Sequence, residues 1–178
     1  MITHGKGTYT IEEEISGIRN LLNYVYVDII TGKIVWTKPK AKKIKPGEEA
    51  GSRKKGGYWE IKFNSKNYRR HRIIFYVAKG YLPKIVDHIK GVDFGDGIDN
   101  LQEVSNAQNV MKQKKRKDNT SGYRGVTFHK KSKKWYASIS ENGKRVHIGS
   151  YDSPEEASIA YEKKARQVFG DFFNEDSL

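Results

Sequence analysis

The sequence predicts an α+β protein made of two small domains. Residues 1–112 show two hairpin-like β patterns followed by a helical pattern, and from residue 121 three strand patterns precede one amphipathic helix. A chain of 178 residues with 36% hydrophobic residues suits one medium domain or two small ones. We therefore expect two modest cores.

Composition indicates a polyanionic partner. The 34 Lys and Arg residues against 21 Asp and Glu give a net charge of +13, which favours nucleic acid or an acidic membrane surface. Charge alone does not choose between them, but the chain has no basic amphipathic helix and no run of about 18 apolar residues. The acidic run Glu12 to Glu14 stands where a signal peptide would be apolar. We expect a soluble, cytoplasmic protein.

The N-terminal domain is expected to contain two hairpins. Tyr24 to Trp36 holds two β-prone runs around the turn signal at Gly32, and Tyr58 to Arg72 alternates about a turn near Asn64. The polar stretch from Lys38 to Gly57, rich in Gly, Lys and Pro, is expected to be a phosphate-contacting loop outside the core.

A helix and a basic linker are expected to follow. The helical pattern runs from His71 to Lys79, and Gly80 supplies a C-terminal stop. Five of the six residues from Lys112 to Lys117 are basic, which indicates a linker over residues 113–120, with a solvated helix tip as the alternative. We expect the linker cations Lys114, Lys115 and Arg116 to contact DNA.

Residues 121–178 predict a three-stranded antiparallel sheet backed by one helix. The strand patterns are YRGVTFH, KWYASISE and KRVHIGSYD, with a hairpin turn at Asn142-Gly143. Ser153-Pro154-Glu155-Glu156 supplies a helix start, after which apolar residues recur on one face.

Charge in this domain is sorted by element. Residues 121–150 hold 7 basic residues and 1 acidic residue, whereas residues 151–178 hold 3 basic and 7 acidic ones. The sheet is therefore the cationic side, and a cationic sheet face suits the DNA major groove, although an ordinary solvated face is the alternative.

The motifs YRGV, KW, the IG.YD.PEEA.IAY run and the closing FN resemble the plant ethylene-response-factor (APETALA-two type) DNA-binding domain over Ser121 to Glu175. The resemblance implies that the sheet lies in the major groove. Thr127, His129, Ser140 and His147 stand where the family usually has Arg or Trp, so base specificity does not carry over. By position, the implied DNA-binding residues are Arg124, Thr127, His129, Ser138, Ser140, Arg145 and His147.

The segment from Ile85 to Asn109 is the densest polar stretch of the chain. It predicts a strand bearing Asp87 and His88, a Gly- and Asp-rich loop, a second strand and a helix bearing Asn109. If the segment folds back on itself, Asp87 and Asn109 converge as oxygen ligands of a hard cation such as Mg²⁺. His88 would then take a proton near neutrality, and the amide of Asn100 would tie the loop.

This arrangement resembles the ββα-metal motif of HNH nucleases, in DHI at Asp87, IDNL ending at Leu101 and Asn109. The segments TGKIVW, GYWEIKF and HR.I.Y...G..P are similar to phage and intron-borne homing endonucleases. The resemblance implies His88 as general base, Asp87 and Asn109 as metal ligands, and Asn100 as the structural amide of the catalytic site. For His71, a structural role is favoured over a phosphate contact, and both stay open.

From these features we predict an HNH-type homing endonuclease that hydrolyses phosphodiester bonds in double-stranded DNA. The expected cofactor is one divalent metal, Mg²⁺ or Mn²⁺, and not zinc, because the absence of cysteine excludes thiolate zinc sites. The alternative is a non-catalytic, sequence-specific DNA-binding protein or regulator with a degenerate HNH fold. We expect a phage- or intron-encoded monomer or homodimer in a bacterial cytosol, with no membrane and no obligate protein partner.

Overall fold

The computed structural model describes residues 2–4, 7–38, 44–111, 119–141 and 143–170. It divides into two compact units, Met1–Val104 and Ser105–Leu178, which we describe separately. Most of the expected linker, with its cations Lys114, Lys115 and Arg116, and the turn residue Asn142 lie outside the described residues.

The expected mixed class is confirmed, because the described strands form five small antiparallel sheets accompanied by helices. The elements of the first unit are β1 (Ile2–His4), β2 (Gly7–Tyr9), α1 (Ile11–Leu21), β3 (Val25–Asp28), β4 (Lys33–Trp36), β5 (Ser52–Arg53), β6 (Trp59–Phe63), β7 (Lys66–Arg69), α2 (Arg70–Lys79), β8 (Val86–His88) and β9 (Leu101–Glu103).

Helix α1 was not predicted from the sequence. It begins with a capping box, in which the Thr10 hydroxyl accepts from the Glu13 backbone N–H and the Glu13 carboxylate accepts from the Thr10 N–H. The helix buries Ile18 and Leu21 in the core of the unit. It also buries Glu14, an acid that apolar periodicity does not reveal.

Both expected hairpins are confirmed. β3 pairs with β4 around Gly32, whose φ is 72°, and β6 pairs with β7 around Asn64 and Ser65, both at positive φ. The stretch from Lys38 to Gly57, which was expected to be a loop, contains the short edge strand β5, which pairs with β6. Within the same stretch, Ala50 is fully buried and donates its N–H to the carbonyl of Ile34.

Helix α2 supplies the centre of the core. It begins at Arg70, one residue earlier than expected, and ends at Lys79, after which Gly80 adopts the left-handed conformation with φ 78°. Ile73, Ile74 and Phe75 are buried between the hairpins and α1. Arg70 pairs with the buried carboxylate of Asp96, and Arg72 pairs with that of Glu14. These ion pairs allow a helix with several charged residues to lie in the core of the unit.

β8 and β9 form a two-stranded ribbon that encloses the loop from Lys90 to Asp99. This loop packs on the β3–β4 turn, where the Ile98 N–H donates to the Ile29 carbonyl at 2.8 Å. A side chain at Gly97 would lie 2.4 Å from the carbonyl oxygen of Ile30, so the close approach requires glycine.

The second unit contains α3 (Asn106–Met111), β10 (Val126–His129), β11 (Lys134–Glu141), β12 (Lys144–Tyr151) and α4 (Pro154–Phe169). The three strands form one antiparallel sheet in the order β10-β11-β12, as predicted. The first strand begins at Val126 and not at Tyr123, because Gly125 turns the chain with φ 70°.

Helix α4 begins as predicted, with Ser153 as N-cap and Pro154 in the first turn. Its buried face carries Ala157, Tyr161 and Ala165, which pack on the sheet residues Val126, Ala137 and Ile139. The small alanines let the helix lie close to the sheet, which leaves the opposite sheet face free of the helix.

Candidate nucleic-acid interface

The helix-free face of the second unit's sheet carries mainly polar side chains. Strand alternation and register place one set of residues opposite the core-facing Val126, Ala137 and Ile139. We call this set the free face; it consists of Thr127, His129, Tyr136, Ser138, Ser140, Arg145, His147 and Ser150.

Three rings form a row across the free face. His129 stacks on Tyr136 with ring centroids 4.6 Å apart and planes at 6°, and His147 meets Tyr136 edge-on at 5.1 Å. His129 and His147 are exposed. The row offers flat rings and imidazole nitrogens that can donate or accept hydrogen bonds toward a ligand.

Arg145 is held in place on the same face. Its Nε donates to the Ser138 Oγ across β11 and β12 at 2.8 Å. Ser138 is only 9% exposed, so it lies beneath Arg145. A bulge between Ala137 and Ser138 shifts the register at this point. Among the described residues, none hydrogen-bonds the Nη groups of Arg145, which form the fork that suits guanine or phosphate.

Arg124 lies apart from strand alternation. Gly125 turns the chain just after it, and Arg124 lines a cavity of about 260 Å³ together with Ile139, Tyr161 and Phe169. The other six sheet residues expected at DNA belong to the free face, with Thr127, His129, Ser140, Arg145 and His147 exposed and Ser138 beneath Arg145. Their roles in binding stay predictions.

A second polar constellation lies inside the first unit, where His71, His88 and Asp96 are all buried. The rings of His71 and His88 have centroids 4.9 Å apart, and Tyr58 covers both at 5.6 and 5.8 Å. The His88 Nε2 lies 2.7 Å from the Asp96 Oδ1. His71 comes from α2, His88 from β8 and Asp96 from the loop between β8 and β9.

Electrostatics in this cluster are set by burial and by Arg70. Burial, with the nearby His88, lowers the pKa of His71 to about 3, so its ring is neutral near neutral pH. Burial by itself raises the pKa of Asp96, but hydrogen bonds from His88 and Arg70 outweigh it and the net direction is down. The Nδ1 of His71 is buried with no hydrogen-bond partner among the described residues. Such an orphan atom costs about 1 to 3 kcal/mol.

The Asn100 side chain forms three hydrogen bonds within the loop between β8 and β9. Its Oδ1 accepts from the Lys90 N–H at 2.8 Å, and its Nδ2 donates to the carbonyls of Gly91 and Gly95 at 3.1 and 2.8 Å. The side chain is 7% exposed, so these three bonds replace water contacts. They hold the loop that carries Asp96.

The two expected magnesium ligands belong to different units. Asp87 lies on β8 of the first unit, and its Oδ2 accepts from the Gln102 Nε2 at 3.3 Å. Asn109 lies in α3 of the second unit, whose capping box joins Ser105 and Gln108 as predicted. Binding of Mg²⁺ or Mn²⁺ by this pair stays a prediction.

Sequence reasoning missed two kinds of residue at these sites. In the sequence, Tyr136 resembles an aromatic residue of the core. Because it follows Trp135, which packs against the core, strand alternation could have assigned Tyr136 to the free face. Asp96 is one of several acids in a Gly- and Asp-rich loop, and no local pattern distinguishes it. Arg70, which donates to Asp96, is one of several basic residues around the start of α2.

Comparison with known proteins identifies the second unit. A family model described as the AP2 domain matches residues 121–170. The APETALA2-like protein 2 of Oryza sativa subsp. indica is 37% identical over 51 residues, which are 29% of this chain and 12% of that protein. The AP2-like ethylene-responsive transcription factor TOE2 of Arabidopsis thaliana is also 37% identical over 51 residues, 29% of this chain and 10% of that protein.

A phage protein matches a longer part of the chain. Protein 3.8 of Escherichia phage T7 is 32% identical over 106 residues, which are 58% of this chain and 87% of that protein. This alignment is too long to fit within residues 121–178, so the similarity extends into residues before the AP2 domain. No solved structure matches the chain.

The fold of the second unit, its free face and the family match define a protein with an AP2-type DNA-binding domain. The chain belongs to the family of Protein 3.8 of phage T7. None of the described helices has the length and apolar character needed to cross a membrane.

The prediction of an HNH-type DNA endonuclease is wrong. The AP2 domain and the AP2-like transcription-factor relatives point to a DNA-binding regulator, and the comparisons give no support to an HNH or homing endonuclease. The general-base role expected of His88 was part of that prediction. The His88 side chain is buried, with 4% of its surface exposed.

Proposed function

We propose that this protein is a non-catalytic regulator that binds specific sequences in double-stranded DNA. The observation that carries the proposal is the free face of the AP2 domain, where Arg145 is fixed by Ser138 beside the ring row of His129, Tyr136 and His147. An antiparallel sheet of this kind fits the major groove, and Arg, imidazole and hydroxyl groups match its acceptors and donors.

The net charge of +13 supports the same partner. A strongly cationic protein is attracted to any DNA, so charge supplies affinity without sequence preference. Sequence preference would come from the fixed side chains of the free face. In this proposal the first unit is a scaffold, and its HNH-like residues Asp87, His88 and Asn100 serve structure or binding and not cleavage.

The phage relative suggests where the protein works. Because a relative with 32% identity comes from Escherichia phage T7, we propose that this chain is also phage-encoded and acts on DNA in a bacterial host.

Selection from random double-stranded DNA with the full chain tests the proposal. We expect an enriched motif that the protein binds at least about 1,000-fold more tightly than unrelated DNA at physiological salt. The matched variant Arg145→Ala should bind the motif less tightly and with relaxed preference at one base position, whereas Lys163→Ala, which removes one exposed charge from α4, should bind it as the parent does. Absence of any enriched motif with the intact protein would refute sequence-specific binding.

A further inference from the structure

We propose that His71, His88 and Asp96 bind a first-row transition cation of the Zn²⁺ class inside the first unit. One ligand atom from each residue lies within 4.8 Å of the other two. Ligand atoms of a tetrahedral zinc ion lie about 3.4 Å apart when each bond is about 2.1 Å. The three side chains therefore need only small adjustments to surround one ion.

The Nδ1 of His71, which is unpartnered within the described part of the chain, gives a second, independent observation that favours a bound ion. The His71 ring is buried against His88, with 4.9 Å between the ring centroids, and its Nδ1 lacks a hydrogen-bond partner among the described residues. Buried polar atoms almost always have a partner. Burial also keeps the ring neutral, as the lowered pKa indicates, and the neutral imidazole is the form that binds metals.

Asp96 is positioned for the task by Arg70. The Arg70 Nε donates to the Asp96 Oδ2 at 2.6 Å, which orients the carboxylate with Oδ1 toward His88. Hydrogen bonds of this kind commonly fix ligand carboxylates in metal sites. The Nη1 of Arg70 also donates to Glu49 at 2.7 Å, so two carboxylates surround one guanidinium and the local charge is compatible with a cation.

The contact between the His88 Nε2 and the Asp96 Oδ1, at 2.7 Å, holds one proton between two prospective ligand atoms. A bound ion would take the place of this hydrogen bond, and the neutral His88 ring would then carry its proton on Nδ1, so that Nε2 can bind the ion. The bound ion would then join α2, β8 and the loop before β9. One coordination position beyond the three protein ligands would stay available for water.

The donor set selects the type of ion. Two imidazole nitrogens and one carboxylate favour Zn²⁺, Co²⁺ or Ni²⁺ over Mg²⁺, which prefers oxygen ligands. The absence of cysteine excludes thiolate zinc sites but leaves sites of this composition open. The proposed site is therefore separate in chemistry from the magnesium pair expected at Asp87 and Asn109.

Titration of the chelator-treated full chain with Zn²⁺, Co²⁺ and Mg²⁺ by calorimetry is the test. We expect one Zn²⁺ per chain, a higher thermal midpoint, and a visible Co²⁺ absorption spectrum typical of an ion with four or five ligands, with no comparable effect of Mg²⁺. His71→Gln and Asp96→Asn should weaken Zn²⁺ binding by more than about 100-fold, since ligand loss exceeds the 10- to 100-fold typical of outer-shell partners. Asp93→Asn, an exposed acid of the same loop, and His129→Gln should bind Zn²⁺ as the parent does.

Nuclear magnetic resonance of the unaltered protein decides the case if a variant does not fold. Zn²⁺ should shift the ring nitrogen signals of His71 and His88 and leave those of His129 and His147 in place. Absence of Zn²⁺ binding, shifts confined to the other histidines, or full binding by folded His71→Gln and Asp96→Asn would each overturn the site.

Discussion

Glu14 and Arg72 form a bidentate ion pair in the core of the first unit, with Nε–Oε1 and Nη2–Oε2 distances of 2.8 Å. The side chains are 0% and 3% exposed. Arg72 also donates to the carbonyls of Pro83 and Lys84, both at 3.2 Å. The pair joins α1 to α2 and to the segment before β8, and each charge depends on the other in place of water.

Removing one charge from this pair should destabilise the first unit strongly. Glu14→Gln keeps the shape of the side chain but leaves the Arg72 guanidinium buried without its anion, a loss of about 3 to 5 kcal/mol in the free energy of unfolding. Urea unfolding followed by fluorescence in a Trp135→Phe background measures it, because the signal then comes from Trp36 and Trp59. Glu12→Gln, an exposed change in the same helix turn, should have little effect on the free energy of unfolding. Equal effects of the two changes would contradict the role of the buried pair.

The same pair shows why sequence reasoning missed α1. The hairpins were predictable because alternation and turn residues such as Gly32 are local signals. In α1 an acid occupies a core position, and its burial is stabilised by Arg72, which is 58 residues away in the sequence. Local patterning cannot identify such a partner. The capping box at Thr10 and Glu13 was the one signal that could have located the helix.

The two candidate sites also differ in how far local sequence patterns could predict them. The family resemblance implied Thr127, His129 and Arg145 as DNA-facing residues, and strand alternation within one sheet puts them on one face of the structure. The cluster of His71, His88 and Asp96 forms only when a helix, a strand and a loop pack together. Because Asp87 is next to His88 in the sequence, it was the carboxylate that the sequence suggested, whereas the structure places Asp96 beside His88. The endonuclease prediction failed because a motif resemblance was given more weight than the DNA-binding domain beside it.

Gly125 is expected to be essential for the second unit. Its φ is 70°, and an added Cβ would lie 2.3 Å from the Tyr161 ring and 2.7 Å from the Ser138 carbonyl oxygen. Gly125→Ala should therefore lower the free energy of unfolding by more than about 2 kcal/mol, through left-handed strain and overpacking together. Thermal unfolding followed by Trp135 fluorescence measures the loss.

The control for this change is Gly122→Ala. Gly122 has a similar φ of 77°, but an added Cβ there meets no atom within 4 Å. Gly122→Ala should therefore lower the free energy of unfolding by about 1 kcal/mol, through left-handed backbone strain alone. A Gly125→Ala protein as stable as the Gly122→Ala protein would show that the contact with Tyr161 and β11 relaxes without cost.

Ser138 is expected to act on DNA binding through Arg145. Its Oγ accepts from the Arg145 Nε, so Ser138→Ala leaves the guanidinium in place but less fixed. We expect Ser138→Ala to weaken binding to the selected motif by roughly 3- to 10-fold, the equivalent of one hydrogen bond of about 1 kcal/mol. Gel-shift titration measures it, with Ser158→Ala on α4 as the control. Unaltered affinity of Ser138→Ala for the motif would show that the hydrogen bond from Arg145 to Ser138 does not contribute to DNA recognition.

Salt dependence should separate base contact from phosphate contact on the free face. Each neutralised phosphate contributes about −0.9 to the slope of log K against log salt concentration. We expect Arg145, fixed on the free face, to read a base edge, so Arg145→Ala should cost about 1 to 3 kcal/mol with the slope almost unchanged. Lys144, exposed at the start of β12, should contact phosphate, so Lys144→Ala should weaken binding to all sequences alike and reduce the slope by about 0.9. Binding measured at several salt concentrations on the selected motif and on unrelated DNA gives both quantities, and the reverse pattern for the two residues would show that Arg145 is a phosphate contact.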